Sequence, residues 1–101
     1  MEIVVDIYSL TKNYPQSELF SLVSQMRRAS MSIPSNIAEG FNRLNPKEFR
    51  RFLTFSLGSC AELETQIEAS FRLKYISEVD LRRMNGKLDH EQRMMRRLMK
   101  G

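Results

Sequence analysis

Tryptophan is absent from this 101-residue chain, and cysteine and histidine occur once each. A single thiol, Cys60, cannot close an internal disulfide, so a cross-linked secreted scaffold is excluded and a reduced, cytoplasmic protein is expected. The opening residues carry Glu2 and Asp6 instead of the basic start and apolar run of a secretion signal. No uncharged run approaches the roughly 18 residues a membrane span requires, so no membrane role is expected. Acid–base or nucleophilic catalysis needs a poised histidine, cysteine or carboxylate pair. His90 lies between Asp89 and Glu91 in a highly charged segment and reads as a solvated surface residue. A di-iron bundle would need Glu-x-x-His twice, yet the residue three before His90 is Lys87. Gly40, Gly58, Gly86 and Gly101 stand alone, so there is no dinucleotide fingerprint and no phosphate loop. No enzyme, cofactor or metal is expected.

Four glycines and three prolines also leave little room for turns. The chain must be built from few long elements, which favours helices. With 42% hydrophobic and 28% charged residues it is too apolar for disorder, and its length suits one domain over residues 1–101. Apolar spacing places a first helix from the start to about Asn13, broken at Tyr14-Pro15. Ser17 is a candidate N-cap for a second helix reaching about Asn42, just after Gly40. Asn45, Pro46 and Glu48 form the best start signal, an N-cap with proline at the first position and a capping box, for a third helix to about Tyr75. Ser77 and Asp80 open a fourth, whose seam is Leu81, Met84, Leu88, Met95 and Leu98. Short loops between long helices make neighbours antiparallel. The fold expected is all-α, an up-down-up-down four-helix bundle.

The second helix carries the strangest stretch, Gln25 to Gly40. Its apolar positions Leu19, Val23, Met26, Ala29, Ile33, Ile37 and Phe41 keep helical spacing through Pro34, so the proline is expected to kink the helix without ending it. Proline there cannot bond the Ser30 carbonyl, at a cost of about 3 kcal/mol or more, which Ser30, Ser32, Ser35 and Asn36 could offset by rebonding freed backbone groups. In helix three, Ser56, Gly58, Ser59, Cys60 and Ala61 are small enough for another backbone to come close, and Phe52 with Phe55 widens the apolar surface beyond one seam. That excess suits a subunit interface. Arg27 and Arg28 with Glu39, Glu62 and Glu64 read as half-buried ion pairs fixing helix register, not as an active site.

Arg27-Arg28-Ala29, Ser32-Ile33-Pro34-Ser35-Asn36-Ile37-Ala38-Glu39-Gly40, then Phe49, Phe52-Leu53, Gly58-Ser59 and Glu62-Leu63-Glu64 resemble, in this order, the four-helix-bundle proteins encoded in intervening sequences of bacterial 23S ribosomal RNA genes. That family also resembles the accessory variability protein of diversity-generating retroelements. The similarity covers about Ile3 to Tyr75. It implies assembly of five bundles into a ring or barrel, and relatives that bind structured RNA or DNA and a reverse transcriptase. Family members usually carry an aromatic lead-in that this chain lacks before Ile3-Val4-Val5, so a shortened first helix is expected.

Charge is unevenly spread. Residues 82–101 hold seven basic and two acidic side chains, and the entire excess of +4 resides there. Eleven of the sixteen basic residues are arginine, the side chain best suited to bidentate phosphate contact. Arg82, Arg83, Arg93, Arg96 and Arg97, with Arg43, Arg50 and Arg51 at the start of helix three, are therefore the candidate nucleic-acid contacts. Phe20, Phe41, Phe49, Phe52 and Phe71 fall mostly on apolar stripes, so recognition by shape and charge is favoured over base stacking. The alternative is a scaffolding module whose basic helix meets an acidic protein partner.

Overall fold

The computed structural model describes residues 1–100, which form an elongated bundle of 43 × 24 × 18 Å. Four helices account for it: α1 (Glu2–Thr11), α2 (Ser24–Phe41), α3 (Pro46–Arg72) and α4 (Glu78–Lys100). The fold is the all-α four-helix bundle expected from the spacing. α2 and α3 form the central antiparallel pair, α4 packs along α3, and short α1 bridges α2 and α4.

Each helix end has a local cause. The Asn45 side chain accepts hydrogen bonds from the Lys47 and Glu48 backbone N–H groups, and Pro46 occupies the first turn. Glu48 does not close the expected capping box, because its carboxylate pairs with Arg51 at 3.0 Å. At α4 the box does form: the Ser77 hydroxyl accepts from the Asp80 N–H and the Asp80 carboxylate accepts from the Ser77 N–H. α3 stops at Arg72, before Tyr75, in a Schellman turn whose left-handed residue is Lys74, φ 66°. Tyr75 N–H bonds back to the Ser70 carbonyl and Lys74 N–H to that of Phe71.

The start of α2 departs most from expectation. Ser17 does not cap it. A 3₁₀ turn over Gln16–Glu18 leads into a π-helical stretch, Leu19–Val23, before regular α geometry begins. Ser21 bonds Glu18, and the Tyr75 hydroxyl donates to the same carboxylate at 2.8 Å, so this irregular entry is tied to the α3–α4 turn. α2 then runs unbroken through Pro34. Support comes from Ser30, which donates to the Arg27 carbonyl, and Asn36, which donates to that of Ser32; neither reaches the Ser30 carbonyl that the proline leaves unbonded. From α3, Ser56 donates to the Ile33 carbonyl at 2.8 Å. Gly40 is inside the helix rather than past its end. A Cβ there would lie 3.2 Å from both Phe49 and Phe52, so the glycine serves the close approach of α2 to α3.

Ile7, Met26, Leu53, Cys60, Leu63, Ile67, Met84, Leu88 and Met95 are fully buried, and the last three lie on the α4 seam read from spacing. The small residues of α3 divide: Ser56 and Cys60 pack inside, whereas Gly58 and Ala61 face solvent. The ends of the α2 stripe are exposed, Leu19 within the π-helical stretch and Phe41 at the last residue of the helix. Phe20 is 92% exposed, so of the five phenylalanines placed mostly on apolar stripes it is one that lies outside the core.

Candidate nucleic-acid interface

Helical geometry decides where the α4 arginines point. At 100° per residue, Arg82, Arg93, Arg96, Arg97 and Lys100 fall within about 60° of one line, opposite the buried seam of Met84, Leu88 and Met95. They form a basic stripe about 27 Å long at 1.5 Å per residue, interrupted by Asp89. Two of its arginines are internally compensated: Arg82 pairs with Glu78 at 2.6 Å and Arg93 with Asp89 at 3.0 Å. Both pairs are exposed, so each contributes little and can exchange its carboxylate for a phosphate. Among the described residues Arg96, Arg97 and Arg50 form no ion pair and are exposed.

Arg83 belongs elsewhere. It turns toward α1, within 3.6 Å of Asp6 and 3.8 Å of Asp80. Beside it Lys87 bonds Asp6 and Glu2, and those two bonds hold its ammonium pKa above the usual lysine range. This cluster pins α1 to α4.

Because α3 and α4 are antiparallel, the first turn of α3 and the last turn of α4 lie at the same end. Arg43 and Arg50 there flank a cleft that also reaches Leu98. The structure thus gathers Arg43, Arg50, Arg96 and Arg97 near one end and leaves Arg82 and Arg83 toward the other. Arg43 pairs with Glu39 at 2.7 Å and its guanidinium lies over the Phe52 ring. Arg51 pairs with Glu48 and faces the Phe52 and Phe55 rings, on a different side of α3 from α4.

The register-fixing ion pairs do not form. Arg27 instead donates to the Thr11 hydroxyl at 3.1 Å and sits over the Tyr8 ring, clasping α1 to α2. Arg28 and Glu62 are exposed, each about 200° round its helix from a buried residue, Ser30 or Cys60. Glu62 accepts only a long bond from Gln66, and Glu64 accepts from Gln92 of α4. Ser59 is half-buried beside them. Of the motif residues, Arg27, Pro34, Asn36 and Gly40 shape the bundle, while Arg28 and Glu62 remain available on its surface.

An all-α bundle with a basic solvent face on its last helix is the class these features define. The family of the 23S rRNA-intervening sequence protein matches residues 1–97, and the chain belongs to it. The crystal structure of a protein of unknown function from the S23 ribosomal protein family of Bacteroides thetaiotaomicron superposes with a TM-score of 0.84 at 22% identity, covering 97% of this chain and 89% of that one. That likeness shows the fold. No curated protein is significantly similar to the sequence.

Proposed function

We propose that this protein is a non-enzymatic, oligomeric bundle that binds structured RNA or DNA through the α4 stripe and the adjoining arginines of α3. The observation that carries the reading is the alignment of five basic side chains on the solvent face of α4, with Arg96 and Arg97 uncompensated among the described residues and Arg50 at the same end. Arg82 and Arg93 add to it by exchange of exposed partners; Arg83, held by Asp6, contributes least. Several copies would present the stripe repeatedly and raise local potential and avidity together.

Self-association has support of its own. Tyr8, Phe20 and Met31 leave apolar surface on one side of the bundle, and Phe55 does so on α3. Such exposed patches mark association surfaces. Five copies is the number the family resemblance implies, and the likeness to retroelement accessory proteins makes a reverse transcriptase the protein partner to test.

Fluorescence anisotropy with a structured RNA and a DNA duplex, titrated across salt, tests the binding. Affinity should fall with salt at a slope of about −0.9 per phosphate contact on duplex DNA and about −0.7 on single strands. The variant with Arg93, Arg96 and Arg97 all changed to alanine should lose most of it. Equal binding by both proteins, or none at low salt, would replace this reading with a scaffold for an acidic protein, which the exposed Phe20 and Val79 would then serve.

A further inference from the structure

At the end of the bundle where the arginines gather, the α2–α3 connection leaves apolar surface that no element covers. Phe41 is 62% exposed and Leu44 fully exposed. Phe41 leans on Phe49 with ring centroids 5.1 Å apart, and these two rings with Leu44 and Leu98 line a cleft of about 310 Å³. Arg43 and Arg50 stand in its walls. Gly40 contributes to the geometry, because a Cβ there would crowd Phe49 and Phe52 at 3.2 Å where the end of α2 approaches α3.

The cleft is at the lower end of the roughly 300–1,000 Å³ typical of small-ligand pockets. It has room for one flat ring system, not for a helix. Its walls combine a solvent-facing aromatic ring with guanidinium groups, the pairing that stacks on a base and holds its phosphate. An apolar protein segment seated there would strip water from Arg50 without supplying a counter-charge, which is costly. A nucleotide supplies both the π-face and the charge.

Resting on the nucleic-acid reading, we infer that this cleft captures an unpaired base, stacked on Phe41 with its phosphate on Arg50, so that the protein prefers structured nucleic acid with single-stranded loops over uninterrupted duplex. The α4 stripe then holds backbone phosphates regardless of sequence, while the cleft selects for unstacked bases.

Two RNA probes of equal phosphate number test this with the full-length protein: a hairpin with a six-nucleotide loop containing 2-aminopurine, and a blunt duplex. The hairpin should bind about tenfold more tightly, in keeping with base–aromatic stacking, and its 2-aminopurine fluorescence should be quenched. Phe41→Ala should abolish both the preference and the quench while leaving duplex affinity unchanged; Phe41→Tyr should retain them. Leu44→Ser, at a fully exposed position, provides a second variant that keeps the fold and should weaken hairpin binding alone. Equal affinity for hairpin and duplex overturns the stacking site and leaves the basic stripe standing. No binding of either probe overturns both. A change of native mass in Phe41→Ala with hairpin preference intact would reassign the cleft to contact between copies.

Discussion

Cys60 lies at the centre of the bundle, and burial, the largest influence, pushes its thiol up to about 12. A thiol is nucleophilic only as thiolate, so native protein should resist an aromatic disulfide reagent over hours and react within seconds once denatured. Rapid labelling of the folded chain would contradict this burial. Backbone conformation gives a second residue-scale outcome at Lys74, whose left-handed φ costs a side chain about 1–2 kcal/mol that glycine avoids. Lys74→Gly should stabilise the fold by up to about 1 kcal/mol after glycine's own entropic loss, raising the melting temperature by about 4–8 °C per kcal/mol for a domain of this size. Gly40 behaves oppositely to Gly86. A Cβ at Gly86 meets nothing within 4 Å, so Gly86→Ala should gain about 1 kcal/mol of helix propensity. Gly40→Ala should forfeit that gain and destabilise, because the Phe52 Cβ in its way is fixed to the α3 backbone. Thermal denaturation followed by circular dichroism ranks all three.

At the scale of elements, the irregular entry to α2 is held by Glu18, which accepts hydrogen bonds from Ser21 and Tyr75. These bonds, Ser21's first, keep its carboxyl pKa below the ordinary 4.5. A lowered folded-state pKa means stability is contributed fully above the unfolded value and lost as pH falls through the folded one. Wild type should therefore be more stable than Glu18→Gln at neutral pH, and the gap should narrow as pH falls below the ordinary 4.5 and through the lowered folded-state value, as urea melts across pH can show. A gap that does not narrow with falling pH would mean the carboxylate plays no such part. The elements themselves were legible in sequence wherever the signal was local. Asn45-Pro46 and Ser77 with Asp80 marked the starts of α3 and α4, and apolar spacing marked the seam of α4. What escaped depends on distant contacts. The π-helical stretch at Leu19–Val23 leaves no trace in spacing, and the anchor of its entry is Tyr75, 57 residues beyond Glu18. Gly40 invites reading as a helix stop, although its cause is the proximity of Phe49 and Phe52.

For the whole molecule, sequence revealed the basic character of α4 but not how it divides. Periodicity alone aligns Arg82, Arg93, Arg96 and Arg97, whereas the diversion of Arg83 to Asp6 depends on where α1 packs, a tertiary fact. The exposure of Phe20 and Phe41 is tertiary as well, since an apolar residue is buried only where a neighbouring element covers it. That uncovered surface sets the final expectation. A chain of about 100 residues buries only about two thirds of its unfolded surface, and Phe20 at 92% exposure gains nothing from the isolated bundle. If copies of the chain cover it, Phe20→Asp should leave helical content and melting of the subunit nearly unchanged while native mass falls to the 11.9 kDa monomer. Avidity would fall with it, so salt-dependent RNA binding should weaken far more than the removal of one distant phenyl ring could cause directly. Native mass spectrometry and anisotropy on the same preparation read both effects. A wild-type monomer at micromolar concentration would refute the assembly, and the phenyl ring would then be a docking point for a different protein.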